Sequence, residues 1–300
     1  MDIVLEKERG ITKHSFFCKL ESKTNKVKIL NADQSPYQKG WHQYAPFESF
    51  DGRRWQRTRP GIYDGKAFSF NVSKGVKYAC WFPPYDMKRM EKICAAFQKI
   101  GKSGFFLGNQ NKKTIVLMAG QHPGETMGIY FLEGILKHLD PKNNFSFLIF
   151  PYMNKDGIRE KNHRLTPDGI DLNRDWKNPN NALLQDIKKQ IEAVPNLYAV
   201  IDIHGDEVSQ KDYVIYNKYF QNSFLKKCCQ ASGFSLVKRS SAFKKFIKNL
   251  IRQHKIVWLK GQAARDFFEK KGVLAITVEL SAANNTPESC IQKGAQFFQK

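Results

Sequence analysis

The chain has 300 residues, of which 41% are hydrophobic and 13% aromatic, a composition typical of a folded globular protein and not of a disordered one. No apolar run approaches the ~20 residues that a membrane-spanning helix needs, so a membrane-embedded protein is excluded and no membrane partner is expected. The net charge of +21 predicts an acidic partner, but charge alone does not choose among nucleic acid, an anionic membrane and an acidic peptide.

The first ten residues, MDIVLEKERG, alternate charged and apolar side chains and lack the apolar core of a secretory signal. Six cysteines are scattered without CxxC spacing, and two of them are adjacent, which is awkward for an ordinary structural disulfide. We therefore expect reduced thiols in a cytoplasmic protein. The cysteines are Cys18, Cys80, Cys94, Cys228, Cys229 and Cys290.

Residues 1–85 are predicted to form an N-terminal β-sandwich domain. Short strand-like runs such as KVKIL and KAFSFNV are separated by turn clusters such as RPGIYDGK. Phe68, Phe70 and Val72 alternate with polar residues, as one buried face requires. We expect the aromatic residues of this part to be core and not a carbohydrate or peptide platform; they include Trp41, Tyr44, Phe47, Phe50, Trp55 and Tyr63.

From residue 86 to residue 300 the sequence alternates apolar strands with helical segments. The strand candidates are TIVLMAG, FSFLIFPYM, LYAVIDIH and VLAITVEL, and the helix candidates cover about residues 87–97, 125–139, 182–193 and 242–254. This alternation predicts a second domain of the α/β class, with helices on both faces of a mixed sheet.

Two histidines lie at the ends of predicted strands. TIVLMAG leads into a QHPGE turn that lets His122 and Glu125 face one point, and LYAVIDIH ends at His204. Ligands gather at the carboxyl ends of strands in α/β sheets, and two imidazoles with one carboxylate suit a catalytic zinc ion. Glu279 lies within VLAITVEL, where a carboxylate is costly unless it is paired or functional. Each residue alone fits a structural role; together they favour a zinc site.

The segment between the two histidine-bearing strands is long, polar and poor in apolar residues. It reads NKDGIREKNHRLTPDGIDLNRDW over residues 154–176. A solvated excursion is one interpretation. The other is a carboxylate-binding loop, since Arg164, Asn173 and Arg174 supply guanidinium forks and an amide.

Five motifs occur in an order and spacing that resemble the zinc metallocarboxypeptidases, and within them a bacterial-type member of the cytosolic carboxypeptidase branch. They are HPGET at 122–126, PYMNKDG at 151–157, GIDLNRDW at 169–176, DIHGDE at 202–207 and TVEL at 277–280. The segments GWHQYAPFESFDGRRWQRTRP and YACWFPPYDMKRM are similar to the β-sandwich that precedes the catalytic domain in this branch.

The resemblance implies a carboxypeptidase-like catalytic domain in residues 86–300 that removes C-terminal residues from peptides or proteins. It implies one zinc ion per chain, held by His122, Glu125 and His204, with Glu279 as general base and then general acid. Arg164 matches the family's arginine that stabilises the oxyanion. Asn173 and Arg174 match the pair of residues that holds the substrate's terminal carboxylate.

Arg265 lies fourteen residues before Glu279, where family members place the residue that meets the substrate's last side chain. A preference for C-terminal Glu or Asp is therefore expected. The link between residues 87–97 and TIVLMAG is shorter than is usual in this family, so one hairpin at the sheet edge is expected to be missing. The resemblance assigns no lid tyrosine, since Tyr213, Tyr216 and Tyr219 all lie in the relevant region. In the HGDE segment after His204, Asp206 and Glu207 fit equally well a role in supporting the metal site and a simple role in a turn.

Two other functions remain open. A related zinc amidohydrolase that deacylates small N-acyl amino acids shares the HxxE and distant His ligands, but is expected to lack the full DLNR segment and the preceding β-sandwich. A metal-free binding protein would use basic residues: the stretch 213–265 has no Asp or Glu and twelve Lys and Arg. No nucleic-acid motif is present, so a nucleic-acid partner is not favoured. The sequence leaves the oligomeric state open.

Overall fold

A computed structural model describes residues 1–140, 144–216, 218–220, 223–238 and 261–299. The N-terminal part is a β domain with two four-stranded sheets, ordered β1-β5-β9-β8 and β4-β10-β6-β7, and a small hairpin of β2 and β3. Its strands are β1 (Asp2–Ile3), β2 (Lys7–Glu8), β3 (Ile11–Thr12), β4 (Phe17–Lys19), β5 (Lys26–Ile29), β6 (Phe47–Ser49), β7 (Gln56–Arg57), β8 (Ile62–Tyr63), β9 (Phe68–Asn71) and β10 (Tyr78–Cys80).

Aromatic side chains fill the core of the β domain. Trp41 packs against Phe68 and Trp81 with ring centroids 5.0 and 5.1 Å apart, and Tyr44 stacks on Trp81. All four residues are almost completely buried. The prediction that the aromatic residues are core is confirmed for Trp41, Tyr44 and Phe47, and Trp55 and Tyr63 are partly buried against this core. It is wrong for Phe50, which is 50% exposed because it lies just beyond the end of β6.

The second part is built on an eight-stranded mixed sheet in the order β11-β12-β14-β13-β15-β18-β16-β17. Its central strands β14, β13, β15 and β18 run parallel, so their carboxyl ends meet at one edge. The strands are β11 (Gln98–Ile100), β12 (Gly104–Leu107), β13 (Lys113–Ala119), β14 (Phe145–Phe150), β15 (Leu197–Asp206), β16 (Tyr213–Tyr216), β17 (Ser235–Lys238) and β18 (Leu274–Ser281).

Helices cover both faces of this sheet, as predicted. Along β13, Ile115 and Leu117 belong to one apolar cluster and Val116 and Met118 to another, because alternate side chains of a strand point to opposite faces. Within the described residues the α-helices are α1 (Met87–Cys94), α2 (Thr126–His138), α3 (Lys155–Arg159), α4 (Ala182–Glu192), α5 (Phe224–Ala231), α6 (Ala264–Lys270) and α7 (Pro287–Gln296). Short 3-10 helices cover Ala32–Gln34, Gln38–Trp41, Leu172–Arg174 and Lys218–Phe220.

The two parts share one continuous apolar core, which includes side chains of both β sheets and of α2. At their junction the Thr126 hydroxyl donates to the Pro83 carbonyl at 2.8 Å, and the Tyr130 hydroxyl donates to the Pro84 carbonyl at 2.9 Å. The start of α2 is therefore tied to the end of the β domain. A domain boundary between residues 85 and 86 stays a prediction.

The structure corrects one expectation about the sheet edge. The hairpin that was expected to be missing is present: β11 pairs antiparallel with β12, and β12 pairs with β14. Helix α1 ends at Cys94, three residues before the predicted end, which leaves enough chain for two short strands. The predicted helix at 242–254 lies outside the described residues.

Two other expectations concern cysteines and membranes. All six cysteines lie in the described ranges and are free thiols, as predicted. In the part of the chain that the structure describes, no helix has the length and apolar character needed to cross a bilayer.

Helices α2 and α7 cross at two glycines. A Cβ atom on Gly134 would lie 2.0 Å from the Ile291 carbonyl oxygen, and one on Gly294 would lie 2.0 Å from the Phe131 carbonyl oxygen. Backbone atoms of the facing helix occupy the space at both glycines, so a side chain at either position would force the two helices apart. The close crossing is therefore specified by glycine.

We predict that Gly134→Ala destabilises the protein by about 2 kcal/mol, because overpacking at the crossing outweighs the better helix propensity of alanine. The free energy of unfolding in urea measures it. Gln292→Ala, at an exposed position of α7, is the control and should change stability by less than about 0.5 kcal/mol. A Gly134→Ala protein as stable as the parent would contradict the close crossing.

Candidate metal centre

The turn after β13 carries the first two candidate ligands. Gly120 has a φ of 71°, which takes the chain out of the strand, and Glu125 is the N-cap residue of α2. Gly124 packs against His163: its N–H donates to the His163 carbonyl at 2.8 Å, and a Cβ would lie 2.5 Å from the His163 ring. The glycine is required because nothing larger fits between the turn and that histidine.

His122, Glu125 and His204 converge in a buried group. The Nδ1 atoms of His122 and His204 lie 2.6 and 2.8 Å from the two carboxylate oxygens of Glu125. One potential ligand atom from each residue lies within 4.8 Å of the others, and all three residues are buried. The structure thus brings together the three residues that the sequence predicted as metal ligands.

The second nitrogen of each imidazole has its own carboxylate partner. His122 Nε2 lies 3.2 Å from Asp171 Oδ1, and His204 Nε2 lies 3.0 Å from Asp202 Oδ2. An imidazole that donates from Nε2 keeps the Nδ1 lone pair for a metal ion, the arrangement usual for metal-binding histidines. Two such imidazoles and one carboxylate fit a zinc ion with an open position.

The charges of this group support one another. Burial raises the pKa of Glu125, but His122 and His204 outweigh it and hold that pKa well below its ordinary value. Burial lowers the pKa of His204, but Asp202 and Glu125 raise it well above its ordinary value. The buried carboxylates and imidazoles are therefore mutually stabilised.

Gln121 and Trp176 hold Asp202 in place. Gln121 donates its amide N–H to Asp202 Oδ1 at 2.6 Å and accepts from the Trp176 indole N–H at 3.0 Å. Sequence reasoning did not find Asp202, Gln121 or Asp171, although all three lie within the matched motifs or beside them. The signal that could have identified them was their position in the sequence, next to or two residues from candidate site residues.

Glu279 lies on β18 directly beside His204 on β15, and Tyr213 pairs with it from the other side. The Glu279 side chain is half-buried. Burial raises the pKa of the Glu279 carboxyl well above its ordinary value; His204 opposes this and Glu125 adds to it. A carboxylate of raised pKa next to a metal-binding group is suited to accept and return a proton.

Arg164 is buried and held at two ends of its guanidinium group. Its Nε donates to Asp171 Oδ2 at 2.8 Å, and its NH1 donates to the Tyr37 hydroxyl at 2.8 Å. Burial lowers the pKa of Arg164, but Asp171 outweighs it, so the net shift is upward and the group stays charged. Because Asp171 also contacts His122, Arg164 is linked to the candidate metal ligands.

Asn173 and Arg174 lie in the 3-10 helix that follows Asp171. Asn173 Nδ2 lies 3.1 Å from His204 Nε2, and its Oδ1 accepts from the Ala264 N–H at 3.1 Å. Arg174 NH1 donates to the Asn173 carbonyl at 2.7 Å, and burial lowers the Arg174 pKa. Among the described residues no carboxylate forms an ion pair with Arg174. Its charge is suited to bind an anion.

Arg265 lies on α6 and is buried. Its NH1 donates to the Thr277 hydroxyl at 3.0 Å, and its NH2 contacts Asp266 at 3.3 Å. Thr277 and Glu279 lie two apart on β18 and so share a face. The structure therefore places Arg265 against the strand that carries the candidate base.

The HGDE residues have defined contacts, whereas the lid tyrosine stays unassigned. Asp206 accepts from the backbone N–H groups of Val208 and Ser209, each at 2.7 Å, and so forms a turn. Glu207 is buried and contacts His163 Nε2 at 3.1 Å, which supports the HPGE turn. Of the three tyrosines, Tyr213 is the one whose strand position faces Glu279.

The fold and site together define an α/β protein with a buried two-histidine, one-glutamate group that can hold a metal ion. Residues 111–300 match the family described as the succinylglutamate desuccinylase/aspartoacylase catalytic domain, and residues 11–84 match the cytosolic carboxypeptidase N-terminal domain. The chain therefore belongs to the succinylglutamate desuccinylase/aspartoacylase catalytic-domain family, with a cytosolic carboxypeptidase N-terminal domain in front of it.

Among curated proteins, an uncharacterized protein of Zymomonas mobilis is 30% identical over 208 residues, which covers 60% of this chain and 54% of that protein. Cytosolic carboxypeptidase 1 of Gallus gallus is 39% identical over 79 residues, covering 24% of this chain and 6% of that protein. The chain thus spans about half of the first relative and a small part of the second. The resemblance to the cytosolic carboxypeptidases is confirmed.

Solved structures show the same fold. A metallo-carboxypeptidase of Pseudomonas aeruginosa, in complex with (2-guanidinoethylmercapto)succinic acid, has a TM-score of 0.82 at 20% identity, covering 99% of this chain and 91% of that one. A metallo-carboxypeptidase of Burkholderia cenocepacia has a TM-score of 0.80 at 20% identity with the same coverage. The predicted fold class is therefore confirmed.

We predict that Asp202→Asn lowers the affinity for Zn²⁺ by about 10–100-fold. Gln121 donates to one oxygen of Asp202, so the Asn amide that keeps this bond turns its NH2 group toward His204 Nε2 and no longer accepts from it. Competition with a chromophoric chelator measures the affinity. Glu133→Gln is the matched control, since Glu133 is a fully buried carboxylate that contacts Tyr85 and Arg89 instead. Equal Zn²⁺ affinities for Asp202→Asn and the parent would contradict this role of Asp202.

Proposed function

We propose that this protein is a zinc-dependent carboxypeptidase that hydrolyses the C-terminal peptide bond of peptides or proteins. The observation that carries this proposal is the contact between the candidate ligands and one loop. His122 contacts Asp171 and His204 contacts Asn173. Asp171 also binds Arg164. A carboxylate-binding loop that is attached to the metal-binding group fits a substrate cut next to its own terminal carboxylate. The cytosolic carboxypeptidase N-terminal domain supports a peptide substrate.

A zinc ion held by His122, Glu125 and His204 would polarise the scissile carbonyl and lower the pKa of water. In this proposal the half-buried Glu279 carboxylate takes the proton from water and returns it to the leaving amine. The Arg164 guanidinium stabilises negative charge on the carbonyl oxygen.

Substrate orientation is proposed to depend on Arg174 and Asn173. The Arg174 guanidinium, which has no ion-pair partner among the described residues, binds the terminal carboxylate together with the Asn173 amide. Because Arg265 lies against β18 beside Glu279, it is proposed to attract an acidic last side chain. We therefore propose that peptides ending in Glu or Asp are preferred, and that the protein acts in the cytoplasm.

A second candidate is a zinc amidohydrolase that deacylates small N-acyl amino acids. It is favoured by the match of residues 111–300 to the desuccinylase/aspartoacylase catalytic domain. That match spans residues 169–176, so the range of the match does not separate the two activities, and the expectation that deacylases lack the full DLNR segment stays a prediction. Both reactions cleave an amide bond in a substrate with a free carboxylate, so the same side chains serve either.

A basic binding protein without catalysis is less well supported. Its main feature, the acid-free stretch at 213–265, lies partly outside the described residues. In the buried group each imidazole is fixed by its own aspartate, the arrangement usual for metal-binding histidines, which a metal-free binding protein does not need.

We predict that Glu279→Gln retains Zn²⁺ but loses peptide hydrolysis by at least about 100-fold, because the amide cannot take the proton from water. Metal content and release of the last residue from defined peptides are measured together. Acetyl- and succinyl-amino acids are tested in parallel, and cleavage of these without peptide trimming would favour the deacylase. Glu192→Gln, at a surface ion pair with Lys271, is the control. Unchanged hydrolysis in the Zn²⁺-loaded Glu279→Gln protein would exclude Glu279 as the base.

We predict that Arg265→Met reduces the kcat/KM for peptides ending in Glu relative to those ending in Leu by about 10-fold or more, because a buried cation that pairs with the substrate's acidic side chain is lost. A peptide panel that varies only the last residue measures this. Lys270→Met, exposed on the same helix, is the control. If the parent cuts C-terminal Glu no faster than Leu or Lys, the proposed preference is wrong.

A further inference from the structure

The loop that carries Arg164 is contacted by the N-terminal domain through a small hairpin. In β2, Glu8 is buried, and its carboxylate accepts from the backbone N–H of His163 at 2.7 Å and of Arg164 at 2.9 Å. At the tip of the hairpin, Arg9 Nε donates to the Pro167 carbonyl at 2.7 Å. The β domain therefore fixes the backbone at Arg164 and again three residues later.

The same domain contacts the Arg164 side chain. The Tyr37 hydroxyl accepts from Arg164 NH1 at 2.8 Å, while Asp171 binds Nε on the other side. The Tyr37 ring packs edge-on against His163, with ring centroids 5.9 Å apart. The guanidinium is thus held between one acidic group of the catalytic part and one phenol of the N-terminal domain.

Close packing gives this contact little freedom. Gly40, three residues after Tyr37, lies against Glu207: a Cβ there would be 2.5 Å from the Glu207 carbonyl oxygen. Glu207 in turn contacts His163 next to Arg164. The segment that carries Tyr37 is therefore packed directly on the residues that support the HPGE turn.

We propose that Tyr37 is a positioning residue for Arg164, so that the N-terminal domain completes the active site. This rests on the proposed function, in which Arg164 stabilises the oxyanion. A flexible arginine side chain loses rotamer entropy when it meets developing charge, and fixing it beforehand reduces that cost. Tyr37 acts through Arg164 and need not touch the substrate.

The first test is Tyr37→Phe, which removes one hydroxyl and keeps the ring. We expect kcat on a peptide substrate to fall about 10-fold while KM changes by less than about 2-fold, because oxyanion stabilisation acts in the transition state. Tyr44→Phe is the matched control: Tyr44 is a buried tyrosine of the same domain whose hydroxyl donates to the Trp81 carbonyl. It should lower stability at least as much and leave kcat unchanged.

A double-mutant cycle separates positioning from general damage. In an Arg164→Ala background, Tyr37→Phe should change kcat by less than about 2-fold, because its partner is already gone. An unchanged kcat in Tyr37→Phe alone, or the same 10-fold fall without Arg164, would overturn the proposal.

A second readout does not depend on activity. The Arg164 Nε–H group, assigned by its loss in Arg164→Lys, is followed by NMR in arginine-labelled protein. We expect its hydrogen exchange to become several-fold faster in Tyr37→Phe and to stay unchanged in Tyr44→Phe; equal exchange in both variants and the parent would overturn the proposal. If the parent hydrolyses neither peptides nor N-acyl amino acids, the proposed function fails while this measurement still decides the role of Tyr37.

Discussion

A continuous series of buried polar contacts organises the site. Acidic and basic groups alternate along it, so each interior member has a partner on either side. Its members, in order, are Asp202, His204, Glu125, His122, Asp171 and Arg164. A buried charge without a partner costs several kcal/mol, and within this series every group has at least one partner. The series is possible only because parallel strands β13 and β15 end at the same edge and the loop after β14 returns to it. The sheet order therefore specifies the site.

The same series also connects the catalytic part to the N-terminal β domain. Its last member, Arg164, is completed by Tyr37, and the backbone next to it is completed by Glu8, both from the β domain. The junction at Thr126 and Tyr130 ties the start of α2, which carries Glu125 at its N-cap, to the end of that domain. Two contacts from different directions thus fix the N-terminal domain on the loop and on the helix that build the site.

Residues that belong to short motifs could be predicted from the sequence, and those that act across the fold could not. His122 and Glu125 share one turn, and His204 ends an apolar strand, so local spacing was enough. Tyr37 lies 127 positions from Arg164, and nothing in its surrounding residues indicates that partner. The hairpin of β11 and β12 was missed for a related reason: its strands are short, and antiparallel pairing with β14 stabilises what local propensity alone does not.

The site residues do not by themselves separate peptide from acyl-amino acid hydrolysis. A metal-binding group, a carboxylate base and guanidinium groups for an oxyanion and a terminal carboxylate are needed in both, since both reactions cut an amide near a carboxylate. What differs is the remainder of the substrate, which is a long chain in one case and a small acyl group in the other. The discriminating contacts must therefore lie outside the shared motifs. The β domain, whose Tyr37 contacts Arg164 directly, is close enough to the site to supply them.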